Sequence, residues 1–429
     1  MIHARFLSAS LLILTTLGVP SAGVSAAQQE SISFKRYAGS SLTNGDIQQE
    51  GTDQSASGAL VLASDGLATG VYADPFGSAS IAYESGSWTS PRYSPGFGFS
   101  ELVASWNATT QPGTWLQVQM QARTDQGHLT KWYTMGIWAS DSDTIHRTSV
   151  GGQGDTDGTV AIDTFYSRAH LMVSYQLKVT LFRRAGSKAS PALRAIGAVA
   201  SDVKPFVQPS PAGGAVSLRR AVPPLSQEVH AGEYPEFDGG GEAWCSPTST
   251  EMVVRYWKSG PTDTQINHMP ASTVAGAKPP TVDREVDYAA MHTYDSHYQG
   301  TGNWPFNAAY AASFGLDAEV TQLRSLTEAE RFIRAGIPLV ASIAFGPNEL
   351  PGFLFTQSDG HLLVIIGFTS TGDVIVNDPA ARSDDEVRKV YDRTALERAW
   401  LNGSGGIVYI IHPASVPLPP VPAGQLRNW

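Results

Sequence analysis

A chain of 429 residues contains one cysteine, Cys245. No internal disulfide can form, so burial of apolar surface and hydrogen bonding must hold the fold together. The composition can supply such a core, with 42% hydrophobic and 16% charged residues, as in ordinary globular proteins. A lone thiol is also a chemical liability wherever oxidants are present. It is either buried and inert or retained for its reactivity.

The opening sequence makes that choice sharper. Met1 to Ala26 has a weakly basic start (His3, Arg5), a short apolar run from Phe6 to Val19 and a small-x-small end, Val24-Ser25-Ala26. This pattern is that of a cleaved signal peptide over 1–26, and the predicted location is secreted. The apolar run is short for a membrane span, and no later stretch comes near the ~18 apolar residues that one needs. No integral membrane segment is expected after signal removal. Net charge is −10, which argues against nucleic acid as a partner, because phosphate binding needs a basic surface.

Residues 27–203 read as a β-sandwich or jelly-roll accessory domain. Gly113–Asp125, His128–Ser140 and Tyr175–Arg184 alternate apolar and polar residues, and turn-forming clusters separate them. Trp106, Trp115, Trp132 and Trp138 either fill this core or form a platform that binds a polymer such as a carbohydrate. Residues 204–224 are rich in Pro, Gly and Ala and read as a linker. From 225 to 413 helical patterns come first and strands follow, an α+β arrangement. The Pro-rich tail, 414–429, is expected to be extended.

Cys245 falls in GGGEAWCSPTS, just before a helix that Ser246, Pro247 and Thr248 start and that Met252, Val253, Tyr256 and Trp257 continue. A thiol at a helix N-terminus faces the positive end of the macrodipole, which favours the thiolate. A nucleophilic thiolate needs a base and an orienting group. His361, in DGHLLVIIGF, begins an apolar strand 116 residues after the cysteine, and Asp378, in VIVNDPA, follows 17 residues later. A turn near Thr369–Asp373 predicts that the two strands pair, which draws His361 and Asp378 together. A simple hairpin leaves them a few residues out of opposition, a gap that a bulge could close.

These pieces, WCSPTS, GHLLVIIGF and VNDPA, resemble the papain-fold cysteine peptidases. More closely they are similar to the double-glycine leader (bacteriocin-processing) peptidase-like family, over Pro224–Pro413 only. The resemblance implies a papain-like catalytic domain with a Cys245–His361–Asp378 triad. It also implies an oxyanion hole made by an upstream glutamine, Gln227, and the backbone N–H of Cys245. The family's glycine after the cysteine is replaced by Ser246, expected to narrow the space beside the thiol. Trp244, Ser246, Asn303, Trp304 and Gly360 are candidate substrate contacts.

His292, Asp295 and His297 lack the helical spacing of a zinc peptidase, and neither a GxSxG elbow nor a phosphate-binding glycine loop occurs. No metal or cofactor is expected. The function read from the sequence is a secreted cysteine peptidase acting on peptide or protein. The alternatives are a cell-wall peptide amidase with the same triad, or an inactive protein that binds wall or carbohydrate through its first domain.

Overall fold

The computed structural model describes residues 31–77, 80–142 and 145–429. The expected signal segment, 1–26, lies outside the described residues. No helix among the described residues is long and apolar enough to cross a membrane.

The first part is all β. The strands Thr114–Thr124 and Met172–Arg184 bury every second residue along most of their length, as their sequence alternation requires. They sit side by side in a sheet that also holds Gln48–Glu50, Ala68–Ala73, Ser80–Thr89 and Tyr133–Trp138. A second sheet is built on Glu101–Thr109 and Ala192–Ser201, with the hairpin Gly158–Ala161/Thr164–Ser167 at one edge. Leu102, Ala104 and Ile196 from this sheet share a core with Leu116, Val118 and Leu177 from the other. Trp106, Trp115 and Trp138 are buried. They are packing residues and offer no platform to a polymer; Trp132 alone of the four is half-buried, with the Lys178 ammonium over its ring.

The second part mixes helices and strands. Its helices are α1 (Cys245–Tyr256), α2 (Asp263–Asn267), α3 (Arg284–Thr293), α4 (Trp304–Ser313), α5 (Leu326–Ala335) and α6 (Arg393–Ser404). Its antiparallel sheet runs in the order Asp317–Gln322, Ile407–His412, Leu339–Phe345, Ser358–Phe368, Val374–Asn377, Arg388–Tyr391. Met252 and Val253 of α1 pack against Leu362, Val364 and Ile366 of the central strand. That contact lays the start of α1 across the start of Ser358–Phe368.

The two parts share a core. Tyr288 and Ala289 of α3, with Phe306 and Ala309 of α4, join the β core, and the Phe306 ring lies 5.5 Å from that of Trp138. Asn107 Oδ1 accepts from the Ala318 N–H over 3.2 Å, and Ser105 Oγ accepts from the Val320 N–H over 3.1 Å.

Residues 204–224, expected as a linker, are laid along the second part. Leu218 and Arg219 add a short strand opposite Phe368 and Gly367. The close approach needs a glycine, since a Cβ at Gly367 would meet Leu218 O at 2.3 Å. The tail is docked as well. Trp429 is buried beside Phe332, and the Phe34 N–H donates to Arg427 O over 2.7 Å.

Candidate active site

Cys245 is the first residue of α1, half-buried, with Trp244 at the helix cap. The Ser249 hydroxyl donates to Leu362 O over 3.1 Å, pinning the first turn of α1 to the strand that begins near His361. His361 is buried, and the edge of Phe353 packs on its ring at 4.9 Å. Its Nε2 lies 2.8 Å from Asp378 Oδ1, and Cys245 acts electrostatically on the same imidazole. With Nε2 turned to the carboxylate, Nδ1 is the nitrogen left for the thiol.

The register explains how the pair meets. Val364 opposes Asn377, with a shift between Ile365 and Gly367, so His361 and Asp378 extend beyond the last paired residues. Asp378 then leaves the strand, its N–H donating to Val387 O, and its side chain turns back under the imidazole. Asp378 is buried and well held. Oδ1 also accepts from the Ala380 N–H over 3.0 Å, and Oδ2 accepts from the Tyr391 hydroxyl over 2.6 Å.

Burial disfavours the charged imidazole. The charge and hydrogen bond of Asp378, followed by the influence of Cys245, outweigh that cost and push His361 up to about 10. These influences favour the charged ring over the neutral one.

A cavity of about 560 Å³ opens over this group. Gln227, Trp304, Gly360, Cys245 and His361 all line it. Gln227 is buried; its Nε2 donates to Glu242 O over 2.7 Å, and its Oε1 has no partner. Three of the expected contacts do not reach the cavity. Trp244 is buried, with Nε1 donating to Phe237 O over 2.7 Å. The Ser246 hydroxyl is turned into the core toward the Tyr409 hydroxyl, 2.9 Å away, so it does not crowd the thiol. Asn303 caps α4 from its Oδ1, and its Nδ2 donates to Asp295 Oδ2 over 2.9 Å.

Sequence reasoning missed Tyr391, Phe353 and the hairpin residues Ala161–Thr164, all at the site. Tyr391 is buried in an otherwise ordinary alternating strand, and nothing local marks it. The hairpin belongs to the β part, at the edge of the sheet built on Glu101–Thr109.

His292, Asp295 and His297 do not form a site. His292 stacks on Tyr288 at 3.8 Å, and burial lowers it to about 4. Asp295 Oδ1 accepts the backbone N–H groups of Ser149, His297 and Tyr298. Among the described residues, the group whose donor atoms approach to within 4.8 Å of one another is His230, Glu233 and Asp287, all buried. His230 Nδ1 lies 2.9 Å from Glu233, and the Lys278 ammonium lies 3.3 Å from the same carboxylate. The His230 ring lies between the two carboxylates, with Asp287 Oδ1 3.6 Å from the same nitrogen.

Two family models match the chain. Residues 39–201 match the family described as the Peptidase C39 N-terminal domain, and residues 219–407 match the Peptidase_C39 like family. The β part is thus matched too, beyond the segment in which the sequence resemblance was found. No curated protein matches. Among solved structures, a C39-like peptidase from Bacillus anthracis is 15% identical over 45% of this chain and 96% of its own, at a TM-score of 0.27. A Clostridium thermocellum xylanase 10B fragment is 10% identical over 48% of this chain and 30% of its own, at 0.18. Scores this low carry no argument about fold. The two family matches lie either side of residues 202–218, and the second part of the chain is the one matched by the Peptidase_C39 like family.

Proposed function

We propose that the protein is a secreted cysteine peptidase of papain-like architecture that hydrolyses peptide bonds through Cys245, His361 and Asp378. One observation carries the reading: the His361 imidazole, 2.8 Å from a buried carboxylate, and the one cysteine, first residue of a helix, line the same cavity. Cys245 Sγ attacks the amide carbonyl carbon. The oxyanion accepts from the Cys245 N–H and, once Gln227 Nε2 turns from Glu242 O into the shared cavity, from that amide as well. His361 gives its proton to the departing amine as the C–N bond breaks, leaving a thioester. Water then attacks the thioester, losing a proton to His361, and the acid product departs with the thiol restored. Asp378 keeps the ring oriented and stabilises its charge.

The test is digestion of casein and of purified cell-wall peptide by the mature chain. New amino termini from casein are expected, and neither Cys245→Ala nor iodoacetamide-treated protein should release any. Cleavage confined to wall peptide would make it a wall amidase. No cleavage of either, with a thiol alkylated at the same rate in wild type and His361→Ala, would sink the catalytic reading.

A further inference from the structure

The hairpin Gly158–Ala161/Thr164–Ser167 turns through two residues, Ile162 and Asp163, with Ala161 facing Thr164. Ile162 has φ 59°, a region that a β-branched side chain enters only at a cost in strain. It is 37% exposed, yet it lines the cavity over Cys245. Asp163 fixes the tip: its Oδ2 accepts from the Trp304 N–H over 2.8 Å and its Oδ1 from the Thr164 hydroxyl over 2.9 Å. A strained apolar residue is thereby locked at the mouth of the cleft, where a smaller residue would relax the turn.

Apart from His361, the titratable groups on the cavity walls are acidic, with burial pushing Asp163 up to about 7. Asp163, Asp238, Glu242 and Asp359 line it, whereas no Lys or Arg among the described residues does. Glu242 and Asp359 are exposed and accessible to a ligand. Trp304 and Tyr298 add aromatic surface beside the acids. The cleft is also longer than one residue needs. A second cavity of about 520 Å³ adjoins the first, and the two share Thr164, Tyr166, Trp304, Gly403 and Ser404.

We infer that the Ile162–Asp163 tip is the substrate-selecting wall of this cleft, and that the cleft takes an extended peptide bearing a basic side chain. The inference rests on the reading of Cys245 as the centre of a substrate site. The apolar tip packs on the peptide, and the acidic wall receives the ammonium or guanidinium group in surroundings that strengthen the attraction.

The experiment measures binding, so it does not depend on turnover. Full-length Cys245→Ala is titrated with fluorescent decapeptides that differ only at a central lysine, acetyl-lysine or glutamate. The lysine peptide should bind about tenfold more tightly than the acetyl-lysine peptide at low ionic strength. The preference should shrink with salt and disappear in Glu242→Gln/Asp359→Asn. Ile162→Gly should weaken every peptide several-fold while Tm holds or rises, because the turn relaxes. Equal binding of lysine and acetyl-lysine peptides, or no binding, overturns the inference. So does an Ile162→Gly variant with unchanged affinity. Selective binding in a wild-type chain that cleaves nothing would leave this inference standing and remove the peptidase reading.

Discussion

The Tyr391 hydroxyl donates to Asp378 Oδ2 over 2.6 Å, while Oδ1 of the same carboxylate faces His361. Burial, reinforced by the Asp378 charge, pushes the phenol well above its ordinary range and keeps it a donor. Tyr391 is thus a positioning residue that acts through Asp378. Tyr391→Phe leaves a fully buried carboxylate oxygen without its donor, at about 1–3 kcal/mol. We expect kcat to fall about tenfold per titrated active thiol, with KM nearly unchanged. A lower Tm with normal kcat per active thiol would make Tyr391 merely structural.

The His361–Asp378 contact should give stability a pH signature. Free imidazole titrates near 6.5, and in the fold His361 is pushed up to about 10. A raised pKa means that the stabilisation is fully present below about pH 6.5 and is lost as pH climbs through about 10. The unfolding free energy of wild type relative to His361→Gln should therefore shrink over that window, by up to ~1.4 kcal/mol per pH unit. Chemical denaturation at about pH 6 and about pH 10 measures it. A constant gap would mean that the ring is neutral in the fold.

What the sequence made legible follows from how local each signal is. Alternation along Thr114–Thr124 and the start signals at Ser246–Thr248 are read within one element, and both elements form. The meeting of His361 and Asp378 was approachable because a short turn joins their strands, although the register shift at Gly367 was not readable. Trp244, Ser246 and Asn303 were misjudged for one reason. Nearness to the nucleophile along the chain does not say which way a side chain turns, and all three turn inward. The contribution of the β part to the cleft was invisible because it depends on how Glu101–Thr109 meets Asp317–Gln322 through Asn107 and Ser105. Neither polar residue stands out in its own strand.

Glu251 offers a second pH test, of the same sign but in a more acidic window. It is buried on α1, with Oε2 accepting from the Tyr310 hydroxyl over 2.9 Å and Oε1 unpartnered. Burial pushes its carboxyl up to about 8, against the lowering effects of Tyr310 and Arg255. The unfolded chain ionises this group near 4.5, so the fold loses stability as pH rises from there to about 8. Glu251→Gln removes that loss. Its Tm relative to wild type should rise steadily between about pH 5 and pH 8, corresponding to about 1 kcal/mol per pH unit. A flat difference would show that the carboxylate is already charged in the native state.

Arg147 tests whether the β part is a working wall or a passenger. Its guanidinium is buried, with Nη1 donating to Ala139 O and Nη2 to Met291 O, each over 2.7 Å. Nε donates to Tyr294 O over 3.3 Å, and the Trp138 ring lies beneath at 5.4 Å. One side chain thus ties the β part to α3 and the loop after it. Arg147→Met keeps much of the apolar volume but orphans three carbonyls, at about 1–3 kcal/mol each if they stay dry. We expect a lower Tm and a broader or split calorimetric transition as the two parts uncouple. Activity bears on the cleft directly. The Ile162–Asp163 tip stays over Cys245 only while the β part remains in register with α3 and α4. Peptide cleavage by Arg147→Met should therefore fail well below the temperature at which its secondary structure melts. Loss of activity only together with global unfolding would mean that the junction supports stability alone.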